Sequence, residues 1–204
     1  MQRVVCPSRL REASGFTLVE LLITVAVLGV ATVMVIPSMT QTNGLRVQAA
    51  VRLIVSDIAF AQADAMAYQS RRAIVFGQVG RPGAGATYSY VSGNGYTLAE
   101  PTGNVLDLAA NAMYDPAEAT KPLFRDLDDP VYGGSSITAA NFSGGNLLIF
   151  DELGGPVTTL TGSEPASGTI DVSAISDGFR ITVAPYTGYV TVVRREPASE
   201  PESP

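Results

Sequence analysis

Gly15-Phe16-Thr17-Leu18-Val19-Glu20 opens an apolar run that continues to Ile36, and Glu20 is the only ionisable side chain in it. At the helical rise, Phe16–Ile36 is about 31 Å long, enough to cross the hydrocarbon core of a bilayer. A carboxylate near the start of such a span is costly unless something compensates it. What precedes the run is short and polar, with Arg3, Arg9 and Arg11 against Glu12, and it stops on Gly15. An ordinary secretory signal has a shorter apolar core that ends in a small-residue cleavage site. A plain signal anchor fits the length but leaves Glu20 without a reason.

These residues resemble the N-terminus of type IV prepilins and type II secretion pseudopilins. The resemblance rests on G-F-T-L-V-E directly before about 20 apolar residues, a span-length run. It implies a leader over 1–15 and cleavage by a prepilin peptidase between Gly15 and Phe16. It also implies N-methylation of Phe16 and a role for Glu20 in assembly with other (pseudo)pilins at an inner-membrane assembly platform. The three leader arginines place the N-terminus in the cytoplasm, which makes the rest of the chain periplasmic. The expected location is therefore the inner membrane, crossed once by residues 16–36, and a cell-envelope filament after assembly.

Downstream, Pro37 removes a backbone donor and should kink the helix. The polar stretch Ser38–Gly44 then reads as a flexible joint. Val47, Val51, Ile54, Ile58, Ala61, Ala65 and Tyr68 recur at alternating steps of four and three, an apolar stripe at helical period. Gln48, Arg52 and Ser56 fall on another face. The resemblance implies the same division, with residues 16–37 as membrane span and filament core and residues 38–70 as an amphipathic helix on the globular domain. Glu20 and Pro37 stand where many members of the family carry those residues.

After Ser70 the pattern turns to short strands. Arg72–Val79 reads as the first, and Tyr88–Val91 and Tyr96–Leu98 flank Gly93-Asn94-Gly95 as a hairpin. Residues 100–137 give little signal and are expected to be a long connection holding a short helix. Leu147–Phe150, Pro156–Leu160, Thr169–Ile175, Phe179–Ala184 and Gly188–Arg194 follow as strands, separated by turns at Gly154-Gly155, Gly162-Ser163 and Asp177-Gly178. The expected fold class is α+β: a long N-terminal helix on a mainly antiparallel, pilin-like sheet domain over 71–195. The tail 196–204, rich in Pro, Glu and Ser, is expected to be disordered. The order of motifs, with R-R-A-I-V-F, L-L-I-F-D-E-L-G-G-P-V and G-F-R-I-T-V-A-P-Y-T-G-Y-V-T-V, resembles minor H-type pseudopilins and their related minor pilins (GspH/FimT-like).

Composition narrows the chemistry. There is no His and no Trp, and the one Cys, Cys6, lies in the leader with no apolar run before it to make a lipobox. A mature chain without His or Cys lacks the commonest catalytic bases and nucleophiles, so no enzyme, cofactor or thiolate metal site is expected. Removing three Arg and one Glu with the leader lowers the formal charge from −6 by two, to −8. Such acidity argues against general nucleic-acid affinity, which rests on phosphate neutralisation. Lys121 is the sole lysine.

Three smaller features carry residue types that a binding site could use. Asp126, Asp128 and Asp129 lack the alternating acids and central Gly of an EF-hand and read as a solvated acidic loop. Gly80, Gly83 and Gly85 precede no helix and do not read as a phosphate loop. Arg194-Arg195 is a candidate weak DNA contact, because some related minor pilins bind DNA through C-terminal arginines; three glutamates follow it here. The reading is a structural subunit, a minor pseudopilin of a type II secretion pseudopilus. One alternative is a minor type IV pilin in adhesion, motility or DNA uptake. Another, of a different class, is a signal-anchored periplasmic binding module.

Overall fold

The computed structural model describes residues 16–84, 87–132, 134–174 and 177–195, with side chains left undescribed over 31–43. The leader, including Cys6 and Gly15, and the tail 196–204 lie outside the described residues. The chain divides into two compact units, Met1–Thr40 and Gln41–Pro204.

The first unit holds the start of helix α1 (Leu18–Tyr68). Thr17 caps it: its carbonyl accepts from the Leu21 N–H at 3.2 Å, and its hydroxyl accepts from the Glu20 N–H at 3.2 Å. Pro37 falls within the helical assignment, but its side chain and those of most of the expected joint lie outside the described residues. Among the described residues no helix is long and apolar enough to cross a membrane. The described side chains of the apolar run end at Val30, so the expected span is covered only in part.

In the second unit, the remainder of α1 buries the expected stripe. Val47, Val51, Ile54, Ile58, Ala61 and Ala65 are buried, joined by Ala50. Tyr68 departs from the stripe. It is exposed, because the helix ends there, and the Arg72 guanidinium lies over its ring, 5.6 Å from the centroid. Gln69 takes a left-handed conformation (φ 48°), and the Ser70 N–H bonds back to the Ala65 carbonyl at 3.2 Å, closing the helix in a Schellman-type turn.

The chain continues through β1 (Arg72–Pro82), β2 (Tyr88–Ala99), α2 (Leu108–Asn111), β3 (Tyr114–Asp115), β4 (Glu118–Pro122) and β5 (Phe124–Asp126). After these come β6 (Ser136–Phe142), β7 (Leu147–Phe150), β8 (Pro156–Val157), β9 (Gly168–Ser173), β10 (Gly178–Val183) and β11 (Val190–Arg195). They form a five-stranded sheet, β5-β2-β1-β7-β8, a four-stranded sheet, β11-β10-β9-β6, and a ribbon of β3 and β4. Every pairing is antiparallel. Helix and sheets share one core, in which Phe76 stacks on Phe142 at 5.7 Å and meets Tyr96 at 5.6 Å. Ala73, Ile149 and Val157 form a smaller cluster.

The fold corrects the expected hairpin at Gly93-Asn94-Gly95. Strand β2 continues through it as a bulge, residues 93–95 standing opposite Gly77 alone, and the hairpin is instead β1 with β2, paired from Ala73–Ala99 to Pro82–Tyr88. Across from this bulge Gly77 of β1 takes a positive φ (77°), where the register shifts between Phe76 and Gln78. The glycines of β2 serve close approach. A Cβ on Gly95 would stand 2.0 Å from the Arg125 carbonyl oxygen, and one on Gly93 would stand 2.6 Å from Val79. The middle segment is also more ordered than expected, since it supplies α2 and β3 to β5.

Candidate functional site

Among the described residues, the start of α1 is where sequence and structure both depart from an ordinary globular domain. All described side chains from Phe16 to Val30 are exposed; the least exposed of the large apolar ones, Ile23, is still 56% exposed. At about 100° per residue, Leu21, Leu22, Ile23, Val27 and Leu28 project to successive sides of the helix, so the apolar surface goes all the way round. A helix of that kind needs lipid or other protein around it.

Glu20 sits in the first turn of this helix. There its charge faces the positive end of the helix dipole, which compensates part of its cost. Thr17 and Glu20 also stand at the spacing of a capping box, in which a Ser or Thr cap and a Glu or Gln three residues on satisfy each other's backbone donors. The Thr17 half is made, as the 3.2 Å bond from the Glu20 N–H shows. Thr17 was not among the expected site residues, although its signal, T-x-x-E before an apolar run, is plain in the sequence. Phe16 precedes the cap and is 80% exposed. The helix therefore begins right after the peptide bond at which cleavage is expected.

Residues 10–36 match the prokaryotic N-terminal methylation motif. The methylation motif supports the type IV pilin and pseudopilin family, and implies processing by prepilin peptidase and assembly with other pilins as a membrane-anchored filament subunit. It takes in Gly15, Phe16 and Glu20 and ends before Pro37. No curated protein and no solved structure matches the chain.

The other expected site residues are bound into the fold. Arg194 is ion-paired with Asp177, and Arg195 with Asp171 at 3.1 Å. Asp171 also takes two bonds from Arg180, at 2.7 and 2.6 Å, and this pairing holds its carboxyl below the usual range. In the acidic loop, Asp126 pairs with Arg81 at 2.9 Å, Asp128 accepts from the Asn94 amide at 2.9 Å, and Asp129 accepts from the Val131 N–H at 3.0 Å. Among the described residues no cluster of acids, His or Cys could hold a metal ion. Gly80 packs under the Phe124 ring, 2.7 Å from where a Cβ would be. Asp151 closes the β7–β8 turn by accepting from the Leu153 and Gly155 N–H groups, at 3.0 and 2.8 Å.

Proposed function

We propose that this chain is a structural subunit, a minor pseudopilin of a type II secretion pseudopilus, and not an enzyme. The observation that carries the reading is an all-round apolar helix start that directly follows the cleavage position of a methylation motif. In this reading residues 16–36 cross the inner membrane once, with the β-rich unit in the periplasm. A prepilin peptidase removes 1–15 and methylates Phe16. The span then leaves the bilayer for a filament, where neighbouring helices replace lipid around Leu21, Leu22, Ile23 and Val25. Because lipid tails are as apolar as these side chains, this exchange is driven by van der Waals packing between helices and by lipid entropy rather than by transfer out of water.

Glu20 has two roles to separate, helix capping and charge. On entry into a filament its carboxylate can meet the methylated amine of a neighbouring Phe16, so that two desolvation costs offset each other and fix axial register. Glutamine also serves in a capping box, so Glu20→Gln keeps the cap and removes the charge. Glu20→Ala removes both. The charge role predicts that both variants are inserted and cleaved, and that both co-purify poorly with the assembled filament. If Glu20→Gln assembles as well as the unmodified chain and only Glu20→Ala fails, Glu20 is a capping residue and the intermolecular pairing is wrong.

A further inference from the structure

The four-stranded sheet carries an apolar face that α1 covers only in part, leaving its β11 side open. In the β10–β11 ladder, Ile181 is opposite Val192 and Val183 is opposite Val190, so these four side chains point to the same side. Ile181 and Val183 are fully buried, yet Val192 remains 42% exposed. The gap is a groove of about 460 Å³ between the helix, at Val51 and Val55, and the sheet, at Phe179 and Val192. Arg52 stands on its rim. It is exposed and, among the described residues, has no carboxylate partner. The groove is thus apolar with an aromatic wall and one available cation.

Nine residues follow β11: Glu196-Pro197-Ala198-Ser199-Glu200-Pro201-Glu202-Ser203-Pro204, with three carboxylates and no cation. They leave the strand three residues past Val192, about 10 Å along it. As an extended polyproline-type segment they would reach about 28 Å. Prolines at 197, 201 and 204 cannot donate to a ladder, so the tail is ill suited to extend the sheet at the free edge of β11. Proline-rich segments instead dock in aromatic-lined grooves, where little ordering entropy remains to be lost.

We propose that the tail folds back within the same molecule and lies in this groove, its prolines on Phe179, Val192 and Val55 and a glutamate on Arg52. It covers the apolar face that the helix leaves open.

The test uses the full chain with Cys6→Ser, in detergent micelles, carrying Ser56→Cys on the groove rim as its single thiol. Maleimide labelling is timed for the intact chain, for a chain ended after Arg195, and for Arg52→Glu. Truncation should speed labelling severalfold, Arg52→Glu should do the same, and Lys in place of the three tail glutamates should restore protection to Arg52→Glu. Protection should not change on dilution. Equal rates with and without the tail would overturn the proposal. Protection that fades on dilution would also overturn it, by showing that a second copy covers the groove.

Discussion

Tyr96 shows how a single buried hydroxyl ties helix to sheet. It is fully buried on β2 and donates to the Asp57 carboxylate of α1 at 2.8 Å, while Arg125 of β5 donates to the same oxygen at 2.9 Å. Burial first, and the neighbouring Asp57 charge second, raise the Tyr96 hydroxyl well above its ordinary value. Tyr96→Phe would leave Asp57 to Arg125 alone and should cost about 1–3 kcal/mol, read from a denaturant midpoint. The sign of the pH effect follows from the raised value. The contribution is whole below the unfolded value, about 10, and is lost as pH rises through the folded one. Tyr90, pushed up to about 12 chiefly by burial, acts in the same alkaline window. The unmodified chain should therefore lose more stability above pH 10 than Tyr96→Phe does; equal losses would show that Tyr96 titrates freely.

At the scale of the elements, the β2 glycines carry a sharp expectation. Gly95→Ala drives a Cβ against the Arg125 carbonyl, a backbone atom that cannot move without opening the β2–β5 ladder. Overpacking of this kind costs about 1–3 kcal/mol. Gly145→Ala, where the nearest atom would be 3.9 Å away, should change stability by less than about 0.5 kcal/mol. Comparable midpoints for the two variants in urea would contradict the close-approach reading. The same region shows where the sequence was and was not legible. The α1 stripe, β9 and β10 could be read because their apolar positions repeat at a fixed period, and β7 and β11 because they are short apolar, β-branched runs bounded by turn signals. The Gly-Asn-Gly stretch misled, because two glycines needed for contact with Val79 and Arg125 look locally like a turn. Asn94 between them binds Asp128, the Ser135 carbonyl and the Ile137 N–H, contacts more than thirty residues away that no local pattern reports. Strand β6 is alanine-containing and bulged at Ile137–Ala139, and is held by pairing with β9 rather than by its own propensity.

For the whole molecule, the candidate site was the most legible part, because membrane length, a lone acid and a preceding glycine are local features. The capping role of Thr17 is equally local, carried by T-x-x-E before the apolar run. Everything functional in the account depends on the chain being cut and methylated at the start of α1. Glycine at the cleavage position gives a peptidase access to the backbone without a Cβ. Gly15→Val should accordingly leave uncleaved precursor in the membrane fraction and serves as the reference. The decisive measurement is the intact mass of the chain extracted from membranes of cells that hold a prepilin peptidase. Cleavage and methylation give a mass lacking residues 1–15 and carrying one added methyl group. A chain that keeps its leader in those cells, with the same mass as Gly15→Val apart from the substitution, would contradict the assignment.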